Sequence, residues 1–390
     1  MVPQSEFGIN KLSFNSINFY KIIMKILFDH QIFTQQRYGG ISRYFFELIK
    51  RFDTVNNSCK VATLYTDNAY YNKNFNHDLN RILPEGNFRG KSRITSLLNA
   101  RKSILEINRG NFDVFHPTYY NDYFLRNIGE KPFVVTFYDM IHEKFANEYP
   151  ELSNDISTYQ FKKSVAERAN RIIAISETTK NDIVDIYGIK KEKIDVVYLG
   201  NSLVNNLDDL DTIIQGDYIL FVGNRNLYKN FNRFLTVASN LLLSNNLKLV
   251  CAGGGAFLND EIEFIKNMGL KASIILVEKI DDKILSNLYK NALFFVFPSL
   301  YEGFGIPVLE SFACNCPTLL SNGGSLPEIG GDGALYFDVN DDESLYKSIS
   351  TLIDDESLRN ELCEKGSNRM QYFSWDNTFN DTLNVYNKII

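Results

Sequence analysis

The chain has one tryptophan, four histidines and five cysteines in 390 residues, and no apolar run approaches the ~18 residues that would suggest a spanning helix. Five is an odd number of cysteines, and their spacing gives no disulfide framework, which fits a reducing, cytoplasmic setting. Cys314-x-Cys316 is the only close pair; with no second ligand pair near it, it does not read as zinc. Residues 1–23 are polar and rich in Asn and Ser, without the basic, apolar and small-residue order of a signal peptide. They read as an N-terminal extension ahead of a first strand beginning near Met24. Gly253 to Gly255 lack G-x-G-x-x-G order, so they read as a tight turn rather than an NAD site.

A strongly basic domain is also missing. Residues 1–205 carry 27 Lys plus Arg against 22 Asp plus Glu, and residues 206–390 carry 14 against 25. Halves of +5 and −11 argue against nucleic-acid binding, and they permit a weakly basic first half to face an anionic membrane surface. Lys91, Arg93, Arg101 and Lys102 cluster on an expected surface helix, Ser92–Asn108. Either a solvated face or peripheral contact with the cytoplasmic side of a membrane would account for that cluster.

With 44% hydrophobic and 14% aromatic residues, a chain of this length can bury two cores. Apolar runs of strand length recur at Lys25–Asp29, Lys60–Tyr65, Asp113–His116, Phe133–Tyr138 and Arg171–Ser176, then at Tyr218–Val222, Leu247–Ala252, Ile274–Val277 and Leu293–Phe297. Helical patterns lie between them, and this alternation calls for parallel sheets in an α/β fold. Residues 24–205 read as a first domain and 206–372 as a second, with a polar, acidic linker over 201–216 and a closing helix over 373–390.

The stretch that carries chemistry begins after Phe297. Glu302-Gly303-Phe304-Gly305 forms a loop, Pro307 suits the first turn of a helix, and Glu310 follows on that helix. Carboxylates at the carboxyl edge of a parallel sheet accept hydrogen bonds from sugar or ribose hydroxyls. Arg225 and Lys229 place two cations just after the strand Tyr218–Val222, where a leaving diphosphate could be stabilised. In the first half, Gln31 to Gly40 read as a polar loop whose closing Gly39-Gly40 opens a helix, and Asp139 and His142 lie just past a strand, within reach of an acceptor hydroxyl.

The pattern E-G-F-G-x-P-x-x-E, with G-S-L-P-E-I over 324–329 and FDHQIFTQQRYGGISRYF near the start, resembles the retaining glycosyltransferases of the GT-B fold, glycosyltransferase family 4. The resemblance implies two Rossmann-like domains facing each other across a cleft, and transfer of a hexose-type sugar from a nucleotide sugar to a glycan acceptor. It places Glu310 on the ribose, Glu302 and the backbone of Gly303, Phe304 and Gly305 on the sugar, Arg225 and Lys229 on the diphosphate, and Gly40 against the same diphosphate from the opposite domain. Asp139, rather than a histidine, becomes the acceptor-side candidate, because Tyr138 stands where the family often has His; His142 is a second candidate there. No metal or other cofactor is expected. GDP-mannose or a UDP-sugar as donor and a lipid-linked glycan as acceptor, in the making of a bacterial surface polysaccharide, are the expected substrates. A sugar-nucleotide epimerase and a catalytically silent nucleotide-binding partner are the alternatives.

Overall fold

The computed structural model describes residues 24–52, 57–74, 91–149, 152, 156–203, 212–225 and 227–390. The expected extension over 1–23 and the middle of the expected linker fall outside them. All paired strands among the described residues run parallel. In the first domain β1 (Lys25–Phe28), β2 (Ser58–Val61) and β3 (Val114–His116) pair in the order β2-β1-β3. β4 (Val134–Phe137), β5 (Arg171–Ala174) and β6 (Ile194–Val196) continue the sheet through a bridge between Phe115 and Phe133. Strands covered by helices on both faces are largely apolar, and β3 and β4 are buried throughout, with their two polar residues, His116 and Thr136, bonded to each other at 2.9 Å.

The second domain has six strands: β7 (Tyr218–Val222), β8 (Lys248–Ala252), β9 (Ile274–Val277), β10 (Phe294–Phe297), β11 (Thr318–Ser321) and β12 (Leu335–Phe337). Their order is β12-β11-β10-β7-β8-β9, the doubly wound arrangement, so the winding direction reverses between β7 and β10. Loops leaving those two strands part company in opposite directions and open a crevice at their carboxyl ends. Arg225 and Lys229 follow β7, and Glu302 follows β10.

Two local expectations differ from what forms. β2 ends at Val61 rather than Tyr65, because the Asn99 side chain takes over: its Oδ1 accepts from the backbone N–H groups of Leu64 and Tyr65, and its Nδ2 donates to the Tyr65 carbonyl. Gln31–Gln35, expected within a loop, is a short helix. Its first N–H groups are satisfied by buried partners, Gln31 by Asp29 Oδ1 and Ile32 by Thr118 Oγ1.

The last helix, Trp375–Asn387, lies on the first domain. Trp375 Nε1 donates to Ser202 Oγ at 2.6 Å, and the Tyr386 hydroxyl meets His116 Nδ1 at 2.7 Å in the core. Phe379 packs edge-on against Phe52.

Candidate active site

A cavity of about 280 Å³ lies between the domains. Gly40, Tyr44, Tyr138 and Asp139 line it from the first domain, and Lys229, Glu302 and residues Gly303 to Pro307 line it from the second. The switch point between β7 and β10 therefore faces the carboxyl ends of the first sheet.

Lys229 reaches the cavity by an unusual turn of the chain. Leu227 and Asn230 both have left-handed backbone (φ 52 and 59), a conformation that costs a non-glycine residue about 1–2 kcal/mol. The turn is held by the Leu300 N–H, which donates to the Tyr228 carbonyl at 2.7 Å. Lys229 Nζ then lies 2.7 Å from Glu302 Oε1. Burial works against the Lys229 charge, but Glu302 and Tyr228 outweigh it and raise its pKa.

The Glu302 backbone is fixed from below. Its carbonyl accepts from the N–H and hydroxyl of Ser325, at 3.1 and 3.0 Å. Gly303 is pressed so closely onto the first domain that a Cβ would run into the Tyr138 carbonyl. Its own carbonyl accepts from Ser176 Oγ at 2.7 Å across the domain boundary. Gly305 (φ 100) precedes the helix Ile306–Ala313, and this left-handed position requires glycine. Phe304 is buried, with its ring beside Tyr198 and Phe373. A Cβ on Gly40 would lie 3.3 Å from Ile306 Cδ1, so its neighbourhood is also set by the opposite domain.

Not every expected residue joins this group. Arg225 turns the other way: Nε is 2.9 Å from Glu261 Oε1, and the other guanidinium N–H groups donate to the carbonyls of Gly253, Gly255 and Ala256. Its guanidinium is thus committed to fixing the loop after β8. Glu310 lies on the helix beyond the cavity wall, where Tyr289 donates to Oε2 at 3.2 Å; desolvation pushes its carboxyl up to about 7. His142 is also off the cavity wall, and its Nδ1 is buried with no hydrogen-bond partner among the described residues.

Asp139 is where the first domain presents a carboxylate. Its Oδ1 accepts from the Ile141 N–H at 3.1 Å and lies 3.5 Å from Lys162 Nζ. Lys162 is almost wholly buried; it donates to the Asp139 carbonyl at 3.0 Å and to Glu143 Oε2 at 3.1 Å, and Tyr187 donates to Glu143 Oε1. The sequence held a signal for Lys162, since it falls at helical spacing with the buried Thr158, Val165, Ala166 and Ala169. In the sequence Tyr138 stands out only as a departure from the histidine that the family often has there. Its hydroxyl is buried, without a hydrogen-bond partner among the described residues, in a side chain that lines the cavity.

Comparisons with known proteins bear on the family and the fold. The family described as Glycosyltransferase Family 4 matches residues 38–203, and Glycosyl transferases group 1 matches residues 213–369. The O-antigen chain mannosyltransferase B of Escherichia coli is 28% identical over 233 residues, covering 56% of this chain and 61% of its own length. The O-antigen chain mannosyltransferase RfbU of Salmonella typhimurium is 30% identical over 190 residues, 49% of this chain and 53% of its own. The matches thus span little more than half the length of these two relatives. Among solved structures, Anabaena HepE, crystallised with UDP and glucose, superposes with a TM-score of 0.70 over 93% of this chain and 99% of its own, at 15% identity. The chain thus carries a Glycosyltransferase Family 4 domain followed by a Glycosyl transferases group 1 domain, on the shared GT-B fold.

Proposed function

We propose that the protein is a retaining hexosyltransferase that moves a sugar from a nucleotide-sugar donor to a hydroxyl of a glycan acceptor. The observation that carries this reading is the Lys229–Glu302 pair at the β7/β10 switch point, facing Asp139 of the other domain across one cavity. A cation held beside a carboxylate suits a donor that presents diphosphate on one side and sugar hydroxyls on the other. Lys229 would stabilise the charge that develops as the nucleoside diphosphate leaves, and Glu302 would accept from hydroxyls of the sugar. The helix opening at Ile306 adds its positive end to the phosphate side. Glu310 would take the ribose hydroxyls, and Gly40 would approach the diphosphate from the first domain.

Asp139 stands on the acceptor side, held in place by the Ile141 N–H and by Lys162. The Tyr138 hydroxyl gains a partner there when a substrate hydroxyl or phosphate oxygen approaches. Both glutamates of the donor loop and helix belong to one domain, which favours gripping the donor over a double displacement with carboxylates on opposite faces of the sugar. We assign no metal to the reaction. GDP-mannose is the first donor to try, because two relatives are named O-antigen mannosyltransferases, and UDP-glucose is the second, because HepE was crystallised with UDP and glucose. The acceptor we propose is a lipid-linked glycan of surface-polysaccharide synthesis.

The test is nucleotide release from each donor, with and without a lipid-linked oligosaccharide, followed by NMR of the new linkage. Acceptor-dependent release with retained anomeric configuration is expected. A changed sugar nucleotide without acceptor would indicate an epimerase, and binding without turnover would indicate a silent partner.

A further inference from the structure

The helix Lys91–Arg109 is built inside out. The face packed against the first domain is mostly polar: Thr95, Asn99, Ser103 and Glu106 are buried there, with Ile107 the one buried hydrophobic residue of the helix. Each is satisfied, Thr95 by the Lys91 carbonyl, Asn99 by Thr34, Leu64 and Tyr65, Ser103 by the Ala62 carbonyl, and Glu106 by Lys60, Lys102 and Arg109. The opposite face carries most of the hydrophobic residues. Ile94, Leu97, Leu98 and Leu105 are 38 to 57% exposed. At 3.6 residues per turn these four fall within a stripe about 100° wide, with Arg101 inside it and Arg93 and Lys102 on its two flanks. Arg93 and Arg101 have no ion-pair partner among the described residues. Helices of soluble proteins put leucines inward and polar residues outward, so the reversed pattern needs a partner that is apolar and negatively charged at once.

We propose that this face docks on the surface of an anionic lipid bilayer. A bilayer interface offers acyl chains to the leucines and phosphate headgroups to the arginines at the same depth, which few protein surfaces do. No helix of the described residues is long and apolar enough to cross a membrane, so contact through this helix is interfacial. The geometry also suits the proposed function, on which the docking argument does not depend. Asn99 bonds Thr34 and Tyr65, which follow β1 and β2, so the helix borders the sheet edge that opens on the cleft. A lipid-linked acceptor would then be presented at that edge.

The test is vesicle flotation of the full chain, with phosphatidylcholine alone and with added phosphatidylglycerol, at low and high salt. The wild type is expected to float with anionic vesicles, less at high salt, and not with neutral ones. Leu97→Asp with Leu105→Asp is expected to lower binding at least about tenfold, and Arg93→Glu with Arg101→Glu to remove the preference for anionic lipid. All four positions are exposed, so thermal melting of both variants should match the wild type, and nucleotide binding should be unchanged; loss of binding with an intact donor site separates this proposal from the proposed activity. No flotation of the wild type, or equal flotation of both variants, would overturn the proposal. So would a wild-type dimer that dissociates in the leucine variant without any lipid binding, which would make a second copy of the chain the occupant.

Discussion

The carboxylate of Glu328, in the second domain, accepts from the backbone N–H of Glu177, in the first, at 2.7 Å, and from that of Thr178 at 3.1 Å. These N–H groups open the helix Glu177–Tyr187, whose positive end favours an anion. Tyr301 adds a second tie, donating to Asp182 of the same helix at 2.5 Å. Glu328 lies on the short helix Leu326–Gly330, which directly follows Ser325, the residue that supports Glu302, so one segment links the donor side to closure of the cleft. Charge-assisted bonds of this kind are worth ~1.5–3 kcal/mol each. Glu328→Ala should therefore open the domains, seen as a larger radius of gyration in solution scattering, with each domain still folded. An unchanged radius would mean that the latch does not govern closure.

Gly303→Ala should act on the same closure by steric means. The new Cβ meets the Tyr138 carbonyl, a backbone atom that cannot swing away. Activity should fall by about a hundredfold or more, as misplacement of a reacting group by 1 Å can cost that much. The melting temperature should move little if each domain keeps its core. A variant with full turnover would show that the contact between Gly303 and Tyr138 is not required.

Lys162→Met should be costly to stability. It leaves the Glu143 carboxylate, whose side chain is fully buried, without its cation. Removing one member of a buried pair typically costs ~3–5 kcal/mol. Adding Glu143→Gln should return part of that loss, which denaturant unfolding of the single and double variants would measure. A loss under about 1 kcal/mol in the single variant would show that Lys162 is not holding the end of β4.

Glu310 gives a pH dependence of definite sign. Desolvation pushes its carboxyl from the ordinary 4.5 up to about 7, so between those values the folded state holds a proton that the unfolded chain has released. Stability must then fall as pH rises from 4.5 to 7. Glu310→Gln should remove on the order of 2 kcal/mol of that fall. Melting curves of both proteins across this range check it; parallel curves would mean that the carboxyl titrates normally.

Much of this was legible because parallel strands packed between helices are largely apolar. β7 and β9 begin and end where the sequence runs do. Gly303 and Gly305 could be singled out because a close approach and a left-handed backbone leave little choice of residue. What could not be read is direction. Arg225 and Lys229 stand four residues apart in one loop, yet one faces Glu261, on a helix after β8, and the other faces Glu302 after β10. That choice is made by the Leu227 and Asn230 backbone and by partners distant in sequence. Glu328 shows the same limit, since a motif glutamate beside the donor loop serves as a tie to the opposite domain. Helix Lys91–Arg109 was visible as a charged cluster, but only packing shows that its leucines face outward.

The most direct test of the donor site is thermal melting with UDP, GDP, ADP and CMP and their common sugars, for the wild type and for Lys229→Met and Glu310→Ala. A ligand at a hundred times its dissociation constant adds ~2.7 kcal/mol to stability. One base should raise the wild-type melting temperature, with a much smaller rise in both variants. A folded wild type that no nucleotide stabilises, or a Lys229→Met protein stabilised as much as the wild type, would contradict the placement of the diphosphate beside Lys229.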